Sequence, residues 1–142
     1  MIDDPPLTIS NKDMSYFRIA KNLSELSDHR TKVGCAIVSG HRIISSGHNS
    51  DSKCHKIQAD IDRKSFHCDC PGKLHAESDA IIYCIKNNID LSRATIYVYR
   101  ELKDGTKAMA RPCPRCMRLI KEQGIRKIKY STDEGYASEI VI

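Results

Sequence analysis

The sequence lacks tryptophan and has little aromatic content of any kind, with two phenylalanines and six tyrosines among 142 residues. Proteins that bind single-stranded nucleic acid stack bases on aromatic side chains, so this scarcity argues mildly against such a partner. No apolar run reaches the roughly 20 residues that a membrane-spanning helix needs. The sequence also lacks the charged and apolar segments of a secretory signal at its start. The composition therefore predicts a cytoplasmic protein with no membrane partner.

Internal repeats, low-complexity tracts and linker-like segments are missing as well. A chain of this length can build one hydrophobic core, so we expect residues 1–142 to form a single domain. Hydrophobic residues make up 40% and charged residues 29% of the chain, which is ordinary for a globular protein. The net charge of +5 favours anionic partners, which include mononucleotides as well as nucleic acids.

Cysteine, in contrast, is abundant, with seven residues. Without an export signal, metal binding explains this number better than disulfides do. Two residues separate Cys113 from Cys116, a spacing that lets both sulfurs reach one zinc ion. His75 is a third candidate ligand of a kind that zinc accepts. Three protein ligands leave a fourth position open for water, which distinguishes a catalytic zinc from a structural one.

Glu77 follows His75 by two residues and differs in chemical kind from the candidate ligands. A carboxylate at this position can carry the proton of a water molecule without binding the metal. Neither motif decides the matter alone, because a lone C-x-x-C is more often a structural zinc half-site or a redox pair, and H-A-E occurs by chance. Their order in the chain, each opening a predicted helix, favours a catalytic zinc site.

The motifs His75-Ala76-Glu77 and Pro112-Cys113-Pro114-Arg115-Cys116 resemble the H-x-E and P-C-x-x-C signature of zinc-dependent cytidine and deoxycytidylate deaminases. The resemblance implies an α/β protein with the three-layer α-β-α deaminase fold, a mixed central sheet flanked by helices. It also implies a hydrolase in which His75, Cys113 and Cys116 hold one catalytic Zn²⁺ and Glu77 is the catalytic proton carrier. An activated water would attack C4 of a cytosine ring, and ammonia would leave.

Within that family the resemblance points first to deoxycytidylate deaminases, which convert dCMP to dUMP. His75 favours this branch, because free cytidine deaminases usually have a cysteine at that position. Asn49 matches a family position that holds the nucleoside sugar, and a turn asparagine is the alternative interpretation. The alternative functions are a nucleic-acid cytidine or tRNA adenosine deaminase and, from another class, a non-catalytic zinc-binding module. Members of the fold often associate, so we expect a homo-oligomer that takes a small-molecule nucleotide.

A nucleotide substrate would need a cation for its phosphate. Several basic residues in loops or at helix starts could supply it, although each of them is equally well explained as a solvated surface charge. These residues are Arg30, Lys32, Arg111 and Arg115.

Residues 50–74 form a polar insert without a convincing helix or strand pattern. The insert holds five possible soft ligands, and zinc can order a segment that lacks apolar surface, because the metal's binding energy is then folding energy. A mobile loop that faces the substrate is the alternative. The favoured ligands of a second, structural zinc are Cys54, His67, Cys68 and Cys70, with His55 as a substitute.

Hydrophobic periodicity predicts the order helix, strand, strand, helix, strand, helix, strand. The crossover helix between the last two strands makes those strands parallel. A short antiparallel strand at 136–142 should follow, whereas the deoxycytidylate and tRNA-adenosine branches usually continue with a helix. The main predicted helices cover 13–27, with Ser10 or Asp13 as the cap, 75–88 and 112–124, and the main strands cover 33–39, 42–46, 95–99 and 125–130.

Overall fold

The structure is a computed structural model that describes residues 9–64 and 73–141. In the described parts of the chain, no helix has the length and apolar character needed to cross a membrane. The elements in chain order are α1 (Asn11–Ser24), β1 (Lys32–Ser39), β2 (Arg42–His48), α2 (Lys56–Lys64), α3 (Ala76–Lys86), β3 (Thr95–Glu101), β4 (Lys107–Ala108), α4 (Pro114–Glu122), β5 (Lys127–Ser131) and β6 (Tyr136–Ile140).

The strands form one mixed sheet with the order β2-β1-β3-β5-β6, and the short β4 pairs with β3. β1 runs antiparallel to both of its neighbours. β3 and β5 are parallel, because α4 carries the chain back to the same end of the sheet. β6 then turns back antiparallel to β5, as the sequence predicted.

Alternate residues of β3 face opposite sides of this sheet. Tyr97 and Tyr99 belong to a small cluster under α1, where Phe17 meets the Tyr97 ring edge-on. Ile96 and Val98 belong to the larger core on the other side, which includes buried residues of α3 and α4. Helices therefore cover both faces of the mixed sheet, and the predicted three-layer α/β fold is confirmed.

Helix α2 corrects the prediction that the insert at 50–74 lacks regular structure. Its inward-facing positions include Gln58 and Asp62, which are 0% and 1% exposed. The Gln58 amide donates a hydrogen bond of 2.8 Å to the Asp62 carboxylate one turn later. The helix pattern escaped detection because polar residues occupy part of the face that burial normally reserves for apolar ones.

The predicted ends of the elements differ from the structure by a few residues. Helix α1 ends at Ser24 rather than Ser27, and Ser10 is its cap, since the Ser10 hydroxyl accepts a 3.0 Å hydrogen bond from the Asp13 backbone N–H. The turn between β1 and β2 places Gly40 and His41 at φ values of 58° and 63°. Two successive residues with positive φ match the tight hairpin turns that favour glycine.

Candidate metal centre

The three predicted metal ligands come together at the start of two helices. His75 is the residue that caps α3, Cys113 caps α4, and Cys116 lies in the first turn of α4. Their possible ligand atoms all lie within 4.8 Å of one another. The His75 Nδ1 atom is 3.7 Å from Cys113 Sγ and 3.3 Å from Cys116 Sγ. Around a tetrahedral zinc, nitrogen and sulfur ligands stand about 3.6 Å apart, so the donor set fits zinc in both chemistry and spacing.

Local sequence fixes the backbone of both helix starts. The Ser78 hydroxyl accepts a hydrogen bond from the His75 N–H and donates one to the His75 carbonyl, each at 3.0 Å. Pro114 stands at the first position of α4, where its missing N–H costs nothing. A residue before proline is biased to extended backbone, and Cys113 has φ −66° and ψ 164°. These constraints direct the His75 and Cys113 side chains before any metal binds.

Strand β2 holds the first turn of α3 in place. At Gly47 an added Cβ would lie 2.6 Å from the Ala76 carbonyl oxygen and 2.7 Å from the Ala80 nitrogen. The Ser45 hydroxyl donates a 2.7 Å hydrogen bond to the Ala80 carbonyl oxygen. The Asp79 carboxylate accepts a hydrogen bond from the His48 N–H at 3.2 Å. The turn that carries His75 is therefore fixed to the sheet by close backbone approach and by hydrogen bonds.

The electrostatics of the site shift the pKa values of its two thiols in opposite directions. A hydrogen bond from Cys116, together with one from His75, lowers the pKa of Cys113 to about 3. The hydrogen bond to Cys113 and burial raise the pKa of Cys116 well above its usual value. Burial lowers the pKa of His75, but its hydrogen bond with Cys113 and the nearby Glu77 carboxylate raise it by more. Cys113 is thus the thiol that most readily supplies a thiolate to a metal.

Glu77 lies in the first turn of α3 and is 5% exposed. Burial is the main reason why the pKa of Glu77 is raised above its usual value. A raised pKa in a cleft is a feature of carboxyl groups that exchange protons during catalysis.

A cavity of about 460 Å³ is lined in part by His75, Glu77 and Cys113, and its volume is within the range of small-molecule sites. Apolar contact surface comes from Val33, Leu74 and Met109, and no phenylalanine or tyrosine of the described chain lines the cavity. Polar and charged groups make up much of the remaining wall. The main ones are His29, Asn49, Asp51, Asp62, Lys73, Arg100, Arg111 and Arg115.

Asn49 lies in the cavity wall, as a sugar-binding residue must. Its side chain also has a structural role that the sequence did not predict. The Asn49 Oδ1 atom accepts a 3.0 Å hydrogen bond from the Val33 N–H, and Nδ2 donates one of 2.7 Å to the Thr31 carbonyl oxygen. Since a carboxamide has two N–H donors, one remains for a ligand, and the sugar-binding role stays a prediction.

The second zinc site also stays a prediction. Cys54 is exposed and pairs with Lys73 in an isolated β-bridge. The other three favoured ligands, His67, Cys68 and Cys70, lie outside the described residues. Within 9–64 and 73–141, His75, Cys113 and Cys116 are the only group of three or more possible ligands.

Two features of the cavity wall were missed in the sequence. Asp62 was not singled out, although Arg115 Nη1 lies 3.1 Å from its carboxylate. The spacing of Gln58 and Asp62 along one helix face was the signal that could have revealed it. Arg100 was also missed, because the predicted strand ended at Tyr99 and left Arg100 in the following loop, whereas β3 continues to Glu101.

The model of the cytidine and deoxycytidylate deaminase zinc-binding region matches residues 10–132, which include both motifs. ComE operon protein 2 of Bacillus subtilis (strain 168) is 30% identical over 130 residues, which are 88% of this chain and 64% of that protein's length. The dCMP deaminase from cyanophage S-TIM5 is 26% identical with a TM-score of 0.58, over 82% of this chain and 79% of the phage chain. A cytidine deaminase from Burkholderia pseudomallei shares the fold at 16% identity, with a TM-score of 0.63 over 94% of each chain.

Proposed function

Since this chain belongs to the cytidine and deoxycytidylate deaminase family, we propose that it hydrolyses the amino group of a cytosine nucleotide, converting dCMP to dUMP with release of ammonia. One observation carries this proposal. His75, Cys113 and Cys116 place their ligand atoms within 4.8 Å of one another, and His75, Cys113 and the buried Glu77 line one cavity. A zinc-binding module without activity would have no need for a buried carboxylate beside an open substrate cavity.

His75, Cys113 and Cys116 would hold the zinc ion. Two thiolates and one neutral imidazole balance the two positive charges of Zn²⁺, so the ligand shell and the metal together are neutral. When bound, zinc would act as a Lewis acid and lower the pKa of a water molecule that it holds. The placement of all three ligands at helix starts adds a positive local potential that favours thiolates.

Glu77 would carry protons between water and substrate. Deamination replaces the 4-amino group of cytosine with oxygen from water, so a proton must leave the water and reach the ring N3 atom. The Glu77 carboxylate can accept that proton and donate it to N3. A second transfer through the same carboxyl group would convert the amino group into a leaving ammonia molecule. Its burial, with 5% exposure, keeps solvent from competing for these protons.

The rest of the cavity would hold the nucleotide. Val33, Leu74 and Met109 offer apolar contact for the base, and the second N–H of the Asn49 amide could donate to the sugar. The absence of phenylalanine and tyrosine from the described wall favours a free nucleotide over a strand held by base stacking. A homo-oligomer and a cytoplasmic location remain predictions.

The choice of dCMP is supported by two comparisons. The similar cyanophage protein is a dCMP deaminase, and a structure of that enzyme contains dCMP and dUMP. The antiparallel β6 strand, in contrast, departs from the usual end of the deoxycytidylate branch. For this reason the substrate must be decided by experiment.

A substrate panel tests the proposal. Ammonia release would be measured with zinc-loaded protein and cytidine, deoxycytidine, their mono- and triphosphates, a cytosine-bearing single strand and an adenosine-bearing RNA hairpin. We expect the highest kcat/KM with dCMP. Activity confined to a strand would move the protein to the nucleic-acid deaminases. No ammonia from any of these compounds would contradict the proposed reaction.

A further inference from the structure

We infer that Arg100 binds the phosphate group of the substrate, and that this arginine makes the cavity selective for a cytosine nucleotide over the nucleoside. The inference rests on the proposed function for the nature of the base, but the role of Arg100 as an anion-binding residue comes from its own surroundings.

Arg100 lies near the end of β3 in a rigid part of the sheet. Its backbone pairs with Val33 of β1 on one side and with Ala108 of β4 on the other. The Arg100 N–H donates to the Ser131 hydroxyl at 3.1 Å, and that hydroxyl donates to the Ala108 carbonyl at 2.7 Å. Arg100 shares the strand parity of Ile96 and Val98 and lines the same cavity as His75 and Cys113.

The Arg100 side chain is half-buried and only partly paired. Its Nε atom is buried and has no hydrogen-bond partner among the described residues. Among the described residues, the only acceptor that its side chain reaches is the Met109 carbonyl oxygen, 3.4 Å from Nη1. A buried donor without a partner is costly, and a guanidinium has five N–H donors. The free protein therefore leaves Arg100 prepared for an acceptor that comes from outside the described chain.

The other two arginines of the cavity wall already have carboxylate partners. Arg111 makes two hydrogen bonds to Glu139, at 2.6 and 3.0 Å, in the bidentate geometry that arginine prefers. Arg115 pairs with the buried Asp62. Arg111 and Arg115 were expected from the sequence as possible phosphate ligands, but in the structure the positive charge of each is already paired with a carboxylate. Arg100 is thus the cavity arginine without a carboxylate partner in the described structure.

A phosphate monoester has the chemistry that this group requires. Its oxygens accept two parallel N–H bonds from a planar guanidinium, which would include the unpaired Nε donor, and its negative charge attracts the cation. The 5′-hydroxyl of a nucleoside offers one neutral acceptor and no charge. Phosphate binding at Arg100 therefore predicts a large difference in affinity between nucleotide and nucleoside.

A purely structural role for Arg100 gives different expectations. The Arg100 side chain donates a hydrogen bond to the carbonyl of Met109, which is four residues before Cys113 in the chain. This contact could instead hold the loop that leads to Cys113 and Cys116. Loss of a loop contact would weaken nucleotide and nucleoside binding by similar factors and would lower stability. Loss of a phosphate contact would affect only the nucleotide.

The test uses zinc-loaded protein and calorimetric dissociation constants for dUMP and deoxyuridine, which the enzyme does not consume. In the wild type we expect dUMP to bind at least about tenfold more tightly, the size of a charged hydrogen bond. Arg100→Gln should remove that difference while leaving deoxyuridine affinity within about twofold, and Arg100→Lys should restore part of it. Arg111→Gln is the matched control, since it removes the same charge from the same wall, and it should keep the preference for dUMP.

Equal binding of dUMP and deoxyuridine by the wild type, or an equal loss for both ligands in Arg100→Gln, would overturn the inference. A wild type that releases no ammonia from cytosine compounds yet prefers dUMP in an Arg100-dependent way would refute the proposed reaction and leave the phosphate site standing.

Thermal unfolding of the ligand-free protein is a second test of the role of Arg100. Arg100→Met removes a buried unpaired donor, so its midpoint should equal or exceed the wild-type value, and a clear decrease would favour the structural role.

Discussion

Cys113 and Cys116 lie within one turn of α4, yet their thiols differ strongly in how readily they ionise. A hydrogen bond from Cys116 lowers the pKa of Cys113 to about 3, whereas the same contact and burial raise the pKa of Cys116. His75 Nδ1 lies 3.7 Å from Cys113 Sγ and 3.3 Å from Cys116 Sγ, so the three possible ligand atoms are in close contact. Such close contact between three soft donors has little purpose in a hydrophobic core, but it is what a zinc ion requires.

Cys113→Ser should remove the metal, because a hydroxyl is a much poorer zinc ligand than a thiolate. We expect one zinc ion fewer per chain than in the wild type, measured by atomic emission on gel-filtered protein, together with lower stability. Cys35→Ala is the matched control, because Cys35 is a fully buried core cysteine that does not belong to the candidate ligand group. It should keep the full zinc content, and unchanged zinc content in Cys113→Ser would contradict the ligand assignment.

At the scale of whole elements, the contact between β2 and α3 decides where His75 and Glu77 point. Gly47 permits this contact, since the α3 backbone occupies the space that a side chain would take. Gly47→Ala should therefore push the helix away from the sheet and destabilise the protein by about 2 kcal/mol or more. Zinc affinity should fall as well, because His75 moves with the helix.

Gly135→Ala is the control for that prediction. An added Cβ at Gly135 meets no atom within 4 Å, so the free energy of unfolding should change by less than about 0.5 kcal/mol. Denaturant unfolding of both variants gives the comparison. A Gly47→Ala protein as stable as Gly135→Ala would show that β2 and α3 are not in close contact.

Helix α1 is fixed to the sheet by the Asp13 carboxylate, which accepts hydrogen bonds from the Tyr97 hydroxyl and the Lys129 ammonium. Burial raises the pKa of Asp13, but these two hydrogen bonds lower it by more, so the folded pKa lies below the usual 3.8. A lowered pKa contributes stability that is present above the unfolded pKa and is lost as pH falls through the folded one.

Asp13→Asn should accordingly lower the free energy of unfolding by about 1 to 3 kcal/mol at neutral pH. The difference from the wild type should shrink as pH falls from about 5 towards 2, because the wild-type carboxyl then becomes neutral too. Urea unfolding of both proteins at pH values from about 5 to 2 measures this difference in the free energy of unfolding. A difference that stays constant with pH would exclude the ionised Asp13 as the source.

Most of the helices and strands could be predicted from the sequence. Helices and strands with apolar periodicity, such as β1 and β3, were predicted close to their observed positions, and the parallel pairing of β3 and β5 followed from the intervening helix. Helix α2 could not be predicted in this way. Its buried face includes Gln58 and Asp62, which bond to each other, and Asp62 is also paired with Arg115, a residue distant in sequence.

For the whole molecule, the candidate metal ligands could be predicted but the cavity could not. His75, Glu77, Cys113 and Cys116 belong to two short motifs, whose residue types, order in the chain and resemblance to a family signature indicated them together. The cavity wall is assembled from β1, β3, the loops around them and the segment before α4, and its residues share no period. Arg100 is an example, because only the three-dimensional pairing of Arg111 and Arg115 shows that Arg100 differs from them in having no carboxylate partner among the described residues.

The most direct test of the catalytic site compares zinc-loaded wild type with Glu77→Gln in dCMP deamination, measuring ammonia, dUMP and zinc in the same samples. We predict one ammonia per dUMP for the wild type, and a rate for Glu77→Gln reduced to a few per cent or less at unchanged zinc content. Asp79→Asn, a charge-neutralising change in the same helix turn, should keep most of the activity. A Glu77→Gln protein that deaminates dCMP at a rate near that of the wild type, or a zinc-loaded wild type that releases no ammonia, would contradict this assignment.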